Sequence, residues 1–173
     1  NLGDEINSEA PDFLPLTNQD ESVLYYTTKR EGVVGNLGSS EGYKTADIYY
    51  SKHKRSRYSR TRSVGSPNTF GNEYTAGRSE NGDYLLYRVN NDENFDDLFI
   101  SELGRRSYMS PKILEYEELK KSSEIGASFS NDGRQLYFSS DREGGQWGYD
   151  IWLIQKLPNG SWSEPVNLGA PIN

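Results

Sequence analysis

The sequence has no cysteine, a single histidine at His53, and no long apolar run. Without cysteine there are no disulfides and no thiol chemistry, but this absence does not determine the cellular compartment of the protein. The chain also lacks the His-rich spacing of zinc sites and the Gly-x-Ser-x-Gly elbow of a nucleophilic serine. No stretch approaches the roughly 20 apolar residues of a membrane helix. These absences disfavour zinc, thiol and nucleophilic chemistry.

Basic residues are outnumbered by acidic ones. The chain has 19 Lys and Arg residues against 26 Asp and Glu, a net charge of −7, which disfavours nucleic acid as a partner. The glycine-rich segment 32–42 lacks the Gly-Lys-Ser/Thr ending of a phosphate loop. No signal-peptide pattern is visible and Asn1 is not a start methionine, so we expect a chain trimmed at its N-terminus.

What the sequence does contain is aromatic residues and turns. It has 13 Tyr, 6 Phe and 3 Trp residues, with 17 Gly and 7 Pro, which is typical of many short strands. Asn131-Asp132-Gly133 is a tight-turn signal, followed by the short apolar run Leu136 to Ser139. A Gly-rich loop at 142–148 then leads to a second β-prone run that begins at Asp150. The sequence therefore predicts a turn, a strand, a loop and a strand.

This unit repeats along the chain. Asp-apolar-aromatic steps begin at Asp47, Asp97 and Asp150, which are 50 and 53 residues apart. The termini repeat as well, because Asn1-Leu2-Gly3 with Ile6-Asn7 matches Asn167-Leu168-Gly169 with Ile172-Asn173. A period of about 50 residues with several strands per unit is typical of propeller blades.

We therefore predict an all-β fold of about three four-stranded antiparallel β-propeller blades. They form a single domain over 1–173, with approximate units 1–68, 69–116 and 117–173. A closed propeller has about 4–8 blades. The chain is then part of a longer propeller, or half of a six-blade ring that a homodimer closes, with an open arc as a third option.

The pattern also places the individual strands. Predicted innermost strands lie at 11–14, 72–76 and 125–130, second strands at 23–28, 84–89 and 136–139, and third strands at 47–51, 97–102 and 150–153. Predicted outer strands fall in the basic run 52–62 and at 161–165. Segment 116–121 reads as a helical turn or a linker, and the long polar loop 31–46 as a binding insertion or a plain surface loop.

The third unit carries the fullest pattern. Its residues are Phe129 to Gly133, Leu136 to Arg142, Gly144-Gly145, Asp150-Ile151-Trp152, Trp162-Ser163, Pro165, Asn167-Leu168-Gly169 and Ile172-Asn173. This pattern resembles the TolB-type, WD-repeat-like β-propeller repeat, in the version found in envelope proteins of Bacteroidetes that often carry an OmpA-like peptidoglycan-binding domain. The first unit keeps Arg30 but lacks the Asp-Gly turn, and the second has Asn90-Asn91 in place of the Asp-Arg pair.

The resemblance implies an envelope location, periplasmic or tethered to the outer membrane. It also implies protein partners there, including a peptidoglycan-associated assembly. We accordingly expect a non-catalytic binding or scaffold module that acts through propeller loops. The alternative is a glycan-binding or glycan-processing propeller, because the spacing of a glycosidase's carboxylate pair is spatial and is not visible in a sequence.

Five residues are the candidate binding residues at the rim: Arg30, Asp141, Arg142, Trp147 and Tyr149. The Asp-Arg step has two interpretations, a charge-assisted lock on its loop or a clamp for a ligand. Trp147 and Tyr149 either stack on a sugar ring or cap the top of the core.

A basic patch is the second candidate, formed by Lys52, Lys54, Arg55, Arg57, Arg60 and Arg62. Lys and Arg on an edge strand prevent unwanted strand pairing, and the same charges suit an anionic partner.

Carboxylates are abundant, but their pattern favours structure over chemistry. Asp47, Asp97 and Asp150 recur with the repeat, so we interpret them as hydrogen-bond acceptors at strand starts. Asp141, Glu143 and Asp150 supply oxygen ligands of the kind that Ca²⁺ prefers, but their spacing does not match an EF-hand loop. We therefore expect no metal and no cofactor.

Overall fold

The structure is a computed structural model that describes residues 2–18, 20–34, 45–79, 84–90, 96–105, 107–110, 112–113, 119 and 122–173. Its strands form three separate antiparallel sheets. The first contains β1 (Asp12–Thr17), β2 (Val23–Thr28), β3 (Asp47–Lys54), β4 (Arg57–Tyr58) and β5 (Arg62–Ser63). The second contains β6 (Asn72–Arg78), β7 (Tyr84–Asn90), β8 (Asp96–Glu102) and β9 (Lys112–Ile113). The third contains β10 (Glu124–Phe129), β11 (Gln135–Ser140), β12 (Asp150–Gln155) and β13 (Val166–Asn167).

Strand order follows chain order in every sheet, as the repeat predicts. The orders are β1-β2-β3-β4, with β5 also paired to β3, then β6-β7-β8-β9 and β10-β11-β12-β13. The all-β prediction is therefore confirmed. Among the parts of the chain that the structure describes, no helix is long and apolar enough to cross a membrane. Residues 35–44 of the predicted binding insertion, and all of the predicted helical turn except Leu119, lie outside the described residues.

The outer edges differ from the prediction. In the first sheet, the basic run does not form one outer strand, because residues 52–54 extend β3 and the edge is divided between β4 and β5. The turn into β4 uses Arg55 and Ser56, whose φ angles of 50° and 62° are those of a two-residue hairpin. In the third sheet, the edge is an isolated bridge at Trp162 followed by β13, one step beyond the predicted strand 161–165.

Apolar side chains pack on both sides of the sheets. The cluster between the second and third sheets contains Leu98, Leu119, Ala127, Leu136, Phe138, Trp152 and Ile154. The cluster between the first and second sheets contains Tyr25, Ile48, Val64 and Tyr108. A further cluster on the other side of the first sheet contains Ile6, Leu24, Tyr26, Val33 and Tyr49. Buried and half-buried residues alternate along β11 and β12, as strands between two packed layers require.

The innermost strands of the three sheets run in the same direction. The ends of β1, β6 and β10 meet around one pocket, so their first residues lie at the opposite end of the sheets. We call the end where these strands begin, which carries Asp12, Glu73 and Glu124, the upper face. The end that contains the pocket is the lower face.

One glycine permits close contact between the second and third sheets. A Cβ atom on Gly77 would overlap the backbone oxygen of Ala127. Gly77 stands at an irregularity in the pairing of β6 with β7, which lets the strand bend at this contact. A larger residue at this position would push β6 away from β10.

A single type of turn recurs at the ends of the repeat. Gly3, Gly65 and Gly169 all have positive φ angles, of 81°, 87° and 62°. The carbonyl of Gly3 accepts hydrogen bonds from the backbone of Ile6 and Asn7, and that of Gly169 accepts them from Ile172 and Asn173. The terminal repeat in the sequence is therefore a repeat in structure.

In two of these turns, the asparagine at the end of the turn is hydrogen-bonded to the third strand of the preceding sheet. Asn68 accepts a hydrogen bond from the backbone nitrogen of Ile48 and donates one to its oxygen, both at 2.9 Å. Asn173 bonds Ile151 in the same two-way manner, at 2.7 and 3.0 Å. A side-chain amide thus continues the sheet where the backbone pairing has ended.

Candidate functional site

Arg30 lies on the upper face, two residues beyond β2, and is nearly buried. Its guanidinium donates to Asp12 Oδ1 at 2.9 Å, to Thr28 Oγ1 at 3.0 Å and to the backbone oxygen of Ile6 at 2.6 Å. It also lies over the rings of Tyr26 and Tyr49, 5.3 Å from each centroid. Arg30 therefore joins the first two strands of its sheet to the N-terminal segment.

Arg142 occupies the equivalent place two residues beyond β11. Its guanidinium donates to Glu124 Oε1 at 3.0 Å and to Ser140 Oγ at 3.2 Å. It lies 4.7 Å from the centroid of the Phe138 ring and 5.4 Å from that of Trp152. The side chains of Arg142 and Glu124 are only 11% and 0% exposed.

Two predicted site residues thus serve the fold. The lock that the Asp-Arg step suggested is formed by Glu124 with Arg142, whereas Asp141 is exposed and accepts a hydrogen bond from the backbone of Ser123 at 3.0 Å. The sequence contains a signal for this arrangement, because Asp12, Thr28 and Arg30 recur as Glu124, Ser140 and Arg142. The acidic member was missed because it lies on another strand.

Burial and hydrogen bonds have opposite effects on the pKa of these carboxyls, and the balance differs between Glu124 and Asp12. Burial raises the pKa of Glu124 to about 7, and the hydrogen bonds from Ser122, Ser140 and Arg142 offset only part of that effect. Asp12 responds in the opposite direction. Burial alone would raise the pKa of Asp12, but hydrogen bonds from Thr28, Ser8 and Arg30 lower it below its ordinary value.

Asp47 and Asp150 each hold the loop that precedes their strand, which confirms their predicted structural role. Asp47 Oδ2 accepts from the backbone nitrogen of Val34 at 2.8 Å. Asp150 Oδ2 accepts from the backbone nitrogen of Gln146 and from Asn167 Nδ2. These bonds lower the pKa of Asp150. The side chain of Asp97, the third member of the set, lies outside the described residues.

The carboxyl group of Asp47 accepts fewer of these hydrogen bonds than that of Asp150. It is fully buried, and its Oδ1 atom has no hydrogen-bond partner within the described part of the chain. Burial raises its pKa to about 7, and the nearby carboxyl of Glu73 adds to this effect. Glu73 is itself fully buried, and burial raises its pKa as well.

The loop between β11 and β12 presents two aromatic rings to solvent. Trp147 is 85% exposed and Tyr149 is 45% exposed. Trp147 therefore does not cap the core, which was one of its two interpretations. The loop is held at both ends, by the contacts of Arg142 and by the bonds to Asp150. Phe70, in the turn before β6, is 75% exposed on the same upper face. No motif or repeat in the sequence marks Phe70 as part of a site.

The basic patch lies along the edge of the first sheet. Its six side chains are exposed, on the end of β3, the turn after it, β4, and the segment into β5. The ring of His53 stacks on that of Tyr58 with a centroid distance of 4.7 Å. This placement suits protection of an edge and leaves the charges accessible to an anionic partner.

Metal ligands are not gathered at this face. Within the described ranges, no three His, Cys, Asp or Glu side chains are close enough together to hold a metal ion. Of the three oxygen donors considered for Ca²⁺, Asp141 and Asp150 are engaged with the protein's own nitrogen atoms.

Solved structures resemble this chain in fold. A protein described as TolB from Agrobacterium tumefaciens has a TM-score of 0.59 at 20% identity, over 88% of this chain and 44% of its own. TolB from Acinetobacter baumannii has a TM-score of 0.60 at 20% identity, over 92% of this chain and 33% of its own. A puromycin-hydrolyzing peptidase of Mycobacterium tuberculosis has a TM-score of 0.58 at 14% identity, over 92% of this chain and 23% of its own.

The chain has the fold of β-propeller blades. Its three sheets are three blades, and it spans less than half the length of either TolB structure. No protein-family model matches the chain, and no curated protein matches it in sequence. The upper face of these blades carries the exposed aromatic loop, and the lower face carries the pocket.

Proposed function

We propose that these blades form a non-catalytic module of a cell-envelope protein that binds another protein through the upper face. The observation that carries the proposal is Trp147, which is 85% exposed on a loop anchored at both ends. Large aromatic residues in rigid settings are the residues that most often dominate protein interfaces. Such a loop loses little conformational entropy on binding.

The binding surface centres on Trp147 and Tyr149. Both follow the anchored Arg142, which positions the loop while its own charge stays bound to Glu124. Phe70 lies on the same face and adds a second apolar contact. Asp141 contributes an exposed carboxylate at the start of the loop. Arg30 and Arg142 support this surface from within.

An envelope location is part of the proposal. It is supported by the resemblance of the repeat to envelope proteins of Bacteroidetes and by the likeness in fold to TolB. A partner in a peptidoglycan-associated assembly fits that location. A longer propeller and a homodimer that closes a six-blade ring are the two alternatives for completing the fold, since three blades do not close a ring.

The non-catalytic part of the proposal is supported by the chemistry of the upper face. Asp12, Glu124 and Asp150 each accept hydrogen bonds that hold strands and loops of the fold. A peptidase shares the fold, but this chain spans only 23% of it. A glycan-binding module is the second candidate, because an exposed Trp147 can stack on a sugar ring.

The test compares two exposed residues on opposite faces. The protein would be photo-crosslinked in cell-envelope extract as wild type, Trp147→Ala and Leu157→Ala, since Leu157 is 40% exposed at the lower end of β12. We expect Trp147→Ala to lose the crosslinked partner and Leu157→Ala to keep it, with all three proteins equally stable. The same crosslinked partner in all three would overturn the proposal. Saturable binding to a glycan array that requires Trp147 would favour the second candidate instead.

A further inference from the structure

The lower face contains a pocket that none of the functions considered above uses. It has a volume of about 440 Å³. Its lining comes from the last residues of all three innermost strands and the turns after them: Leu16, Thr17, Asn18, Ala76, Gly77, Arg78, Ser79, Ala127, Ser128, Phe129 and Asn131. The pocket thus lies where three blades converge, on rigid strand ends, and at the opposite end of the sheets from Trp147.

Arg78, the last residue of β6, is the only charged residue in that lining. Its Nε and Nη1 atoms are buried and have no hydrogen-bond partner within the described residues. Its guanidinium carbon lies 5.3 Å from the centroid of the Tyr25 ring, which supports the side chain from the first blade. The carboxylate of Asp20, in the exposed turn after β1, has only a weak electrostatic interaction with Arg78.

This environment contrasts with that of the other two arginines of the core. Arg30 and Arg142 are also largely buried, but each has a carboxylate partner at about 3 Å. A guanidinium has five N–H donors and stays charged at all physiological pH values. Donors buried without a partner cost free energy, so a group that supplies acceptor oxygens gains strongly from binding here.

We propose that the pocket is a binding site for an anionic oxygen group, a carboxylate or a phosphate, with Arg78 as the charged anchor. Thr17, Ser128 and Asn131 add neutral polar side chains to the same lining. The lining contains no carboxylate that would repel an anion. Partial burial lowers the effective dielectric constant around Arg78, which strengthens a charge-assisted hydrogen bond to the ligand.

The test is a titration of the wild-type protein with inorganic phosphate and, separately, with acetate, at constant ionic strength set with chloride. The readout is the Nε–H resonance of each arginine in ¹H–¹⁵N spectra. We expect a saturable shift at Arg78 and no saturable shift at Arg57, which is exposed on β4. The anion whose titration saturates at the lower concentration, acetate or phosphate, identifies the preferred ligand as a carboxylate or a phosphate.

Two variants complete the test. Arg78→Met keeps most of the aliphatic part of the side chain but removes the guanidinium that lies over Tyr25, and should lose the anion-dependent rise in Tm that we expect of the wild type. Arg57→Met should keep it. Non-saturable shifts of equal size at Arg78 and Arg57, or the same rise in Tm in both variants, would overturn the proposal. The wild-type resonances decide the matter even if Arg78→Met folds poorly.

Discussion

A single arginine arrangement recurs in two blades. Arg30 and Arg142 each join the first carboxyl of an innermost strand to the last hydroxyl of the next strand. Each also lies over two aromatic rings. In the second blade Glu73 takes the acidic position, and the position two residues beyond its partner Val89 is Asn91. Residue Asn91 lies outside the described residues.

Removal of Arg142 should destabilise the protein rather than merely weaken binding. Arg142→Ala leaves Glu124 buried without its cation, and breaking a buried pair costs about 3 kcal/mol or more. We expect a loss of that size in the free energy of unfolding by denaturant, and less than about 0.5 kcal/mol for the exposed control Arg134→Ala. Normal stability with loss of partner binding would contradict this and restore Arg142 as a ligand clamp.

Asp47 should make stability depend on pH. Its pKa rises from 3.8 in the unfolded chain to about 7 in the fold, so the folded state binds the proton more tightly. The stabilisation by the protonated form is complete below the unfolded pKa and is lost as pH rises through the folded pKa.

The measurement is the free energy of unfolding of wild type and Asp47→Asn between pH 4 and pH 8. Groups such as Asp12 and Glu124 titrate in both proteins, so their effects cancel in the difference. We expect wild type to lose stability relative to the variant as pH rises from about 4 to about 7, and the difference to level off above that range. A difference that stays constant with pH would show that Asp47 titrates normally.

At the scale of strands, the sequence predicts the inner parts of each blade better than the edges. The predicted strand 23–28 has the bounds of β2, and the predicted strand 84–89 falls one residue short of β7. These segments carry apolar and aromatic runs whose burial dictates a strand. Outer edges pair over two residues each, as in β4, β5 and β13, and carry no such signal.

The candidate site could be predicted only in part, because contacts between different strands leave no local pattern in the sequence. Trp147 and Tyr149 could be found because the repeat locates their loop. The partner of Arg142 could not be read off the chain, because Glu124 reaches it from an adjacent strand 18 residues away. Arg78 has no counterpart in the repeat, and its surroundings arise from three blades at once.

Gly77 should be the least replaceable glycine of the innermost strands. In Gly77→Ala the new methyl group would overlap the Ala127 carbonyl, and relieving that overlap costs about 3 kcal/mol. Gly126 is a matched control on the neighbouring strand β10, because a Cβ atom there meets nothing within 4 Å. We expect Gly126→Ala to change the free energy of unfolding by less than about 1 kcal/mol. Equal effects would mean that β6 and β10 separate easily.

At the scale of the whole molecule, the two outer sides of the three-blade stack are not alike. On the first blade, Ile6 is only 3% exposed because it packs on Leu24, Tyr26 and Tyr49. On the third blade, Ile172 occupies the same position in the equivalent turn and is 61% exposed, and Val166 on β13 is 58% exposed. The first side is therefore covered by the chain's own N-terminal turn, whereas the last side presents apolar groups.

This asymmetry gives a paired prediction. Ile6→Asp places a charge in an apolar cluster and should destabilise the protein by about 3 kcal/mol or more, whereas Ile172→Asp should change its stability by less than about 0.5 kcal/mol. Thermal and denaturant unfolding of both variants would measure the difference. Comparable losses would show that Ile172 is covered in solution, as it would be in a two-copy ring, and light scattering would then reveal a dimer.

Because the glycine turn occurs at both ends of the three blades, two turns would compete for one surface when two copies close a ring. If two copies joined end to end, the turn at Gly169 of one copy and the turn at Gly3 of the other would compete for the same binding surface, the outer side of the first blade of the second copy. The N-terminal turn is covalently attached, so its effective concentration is far higher than that of any second molecule. It therefore competes with the second copy, and residues 8–173 should self-associate more readily than residues 1–173.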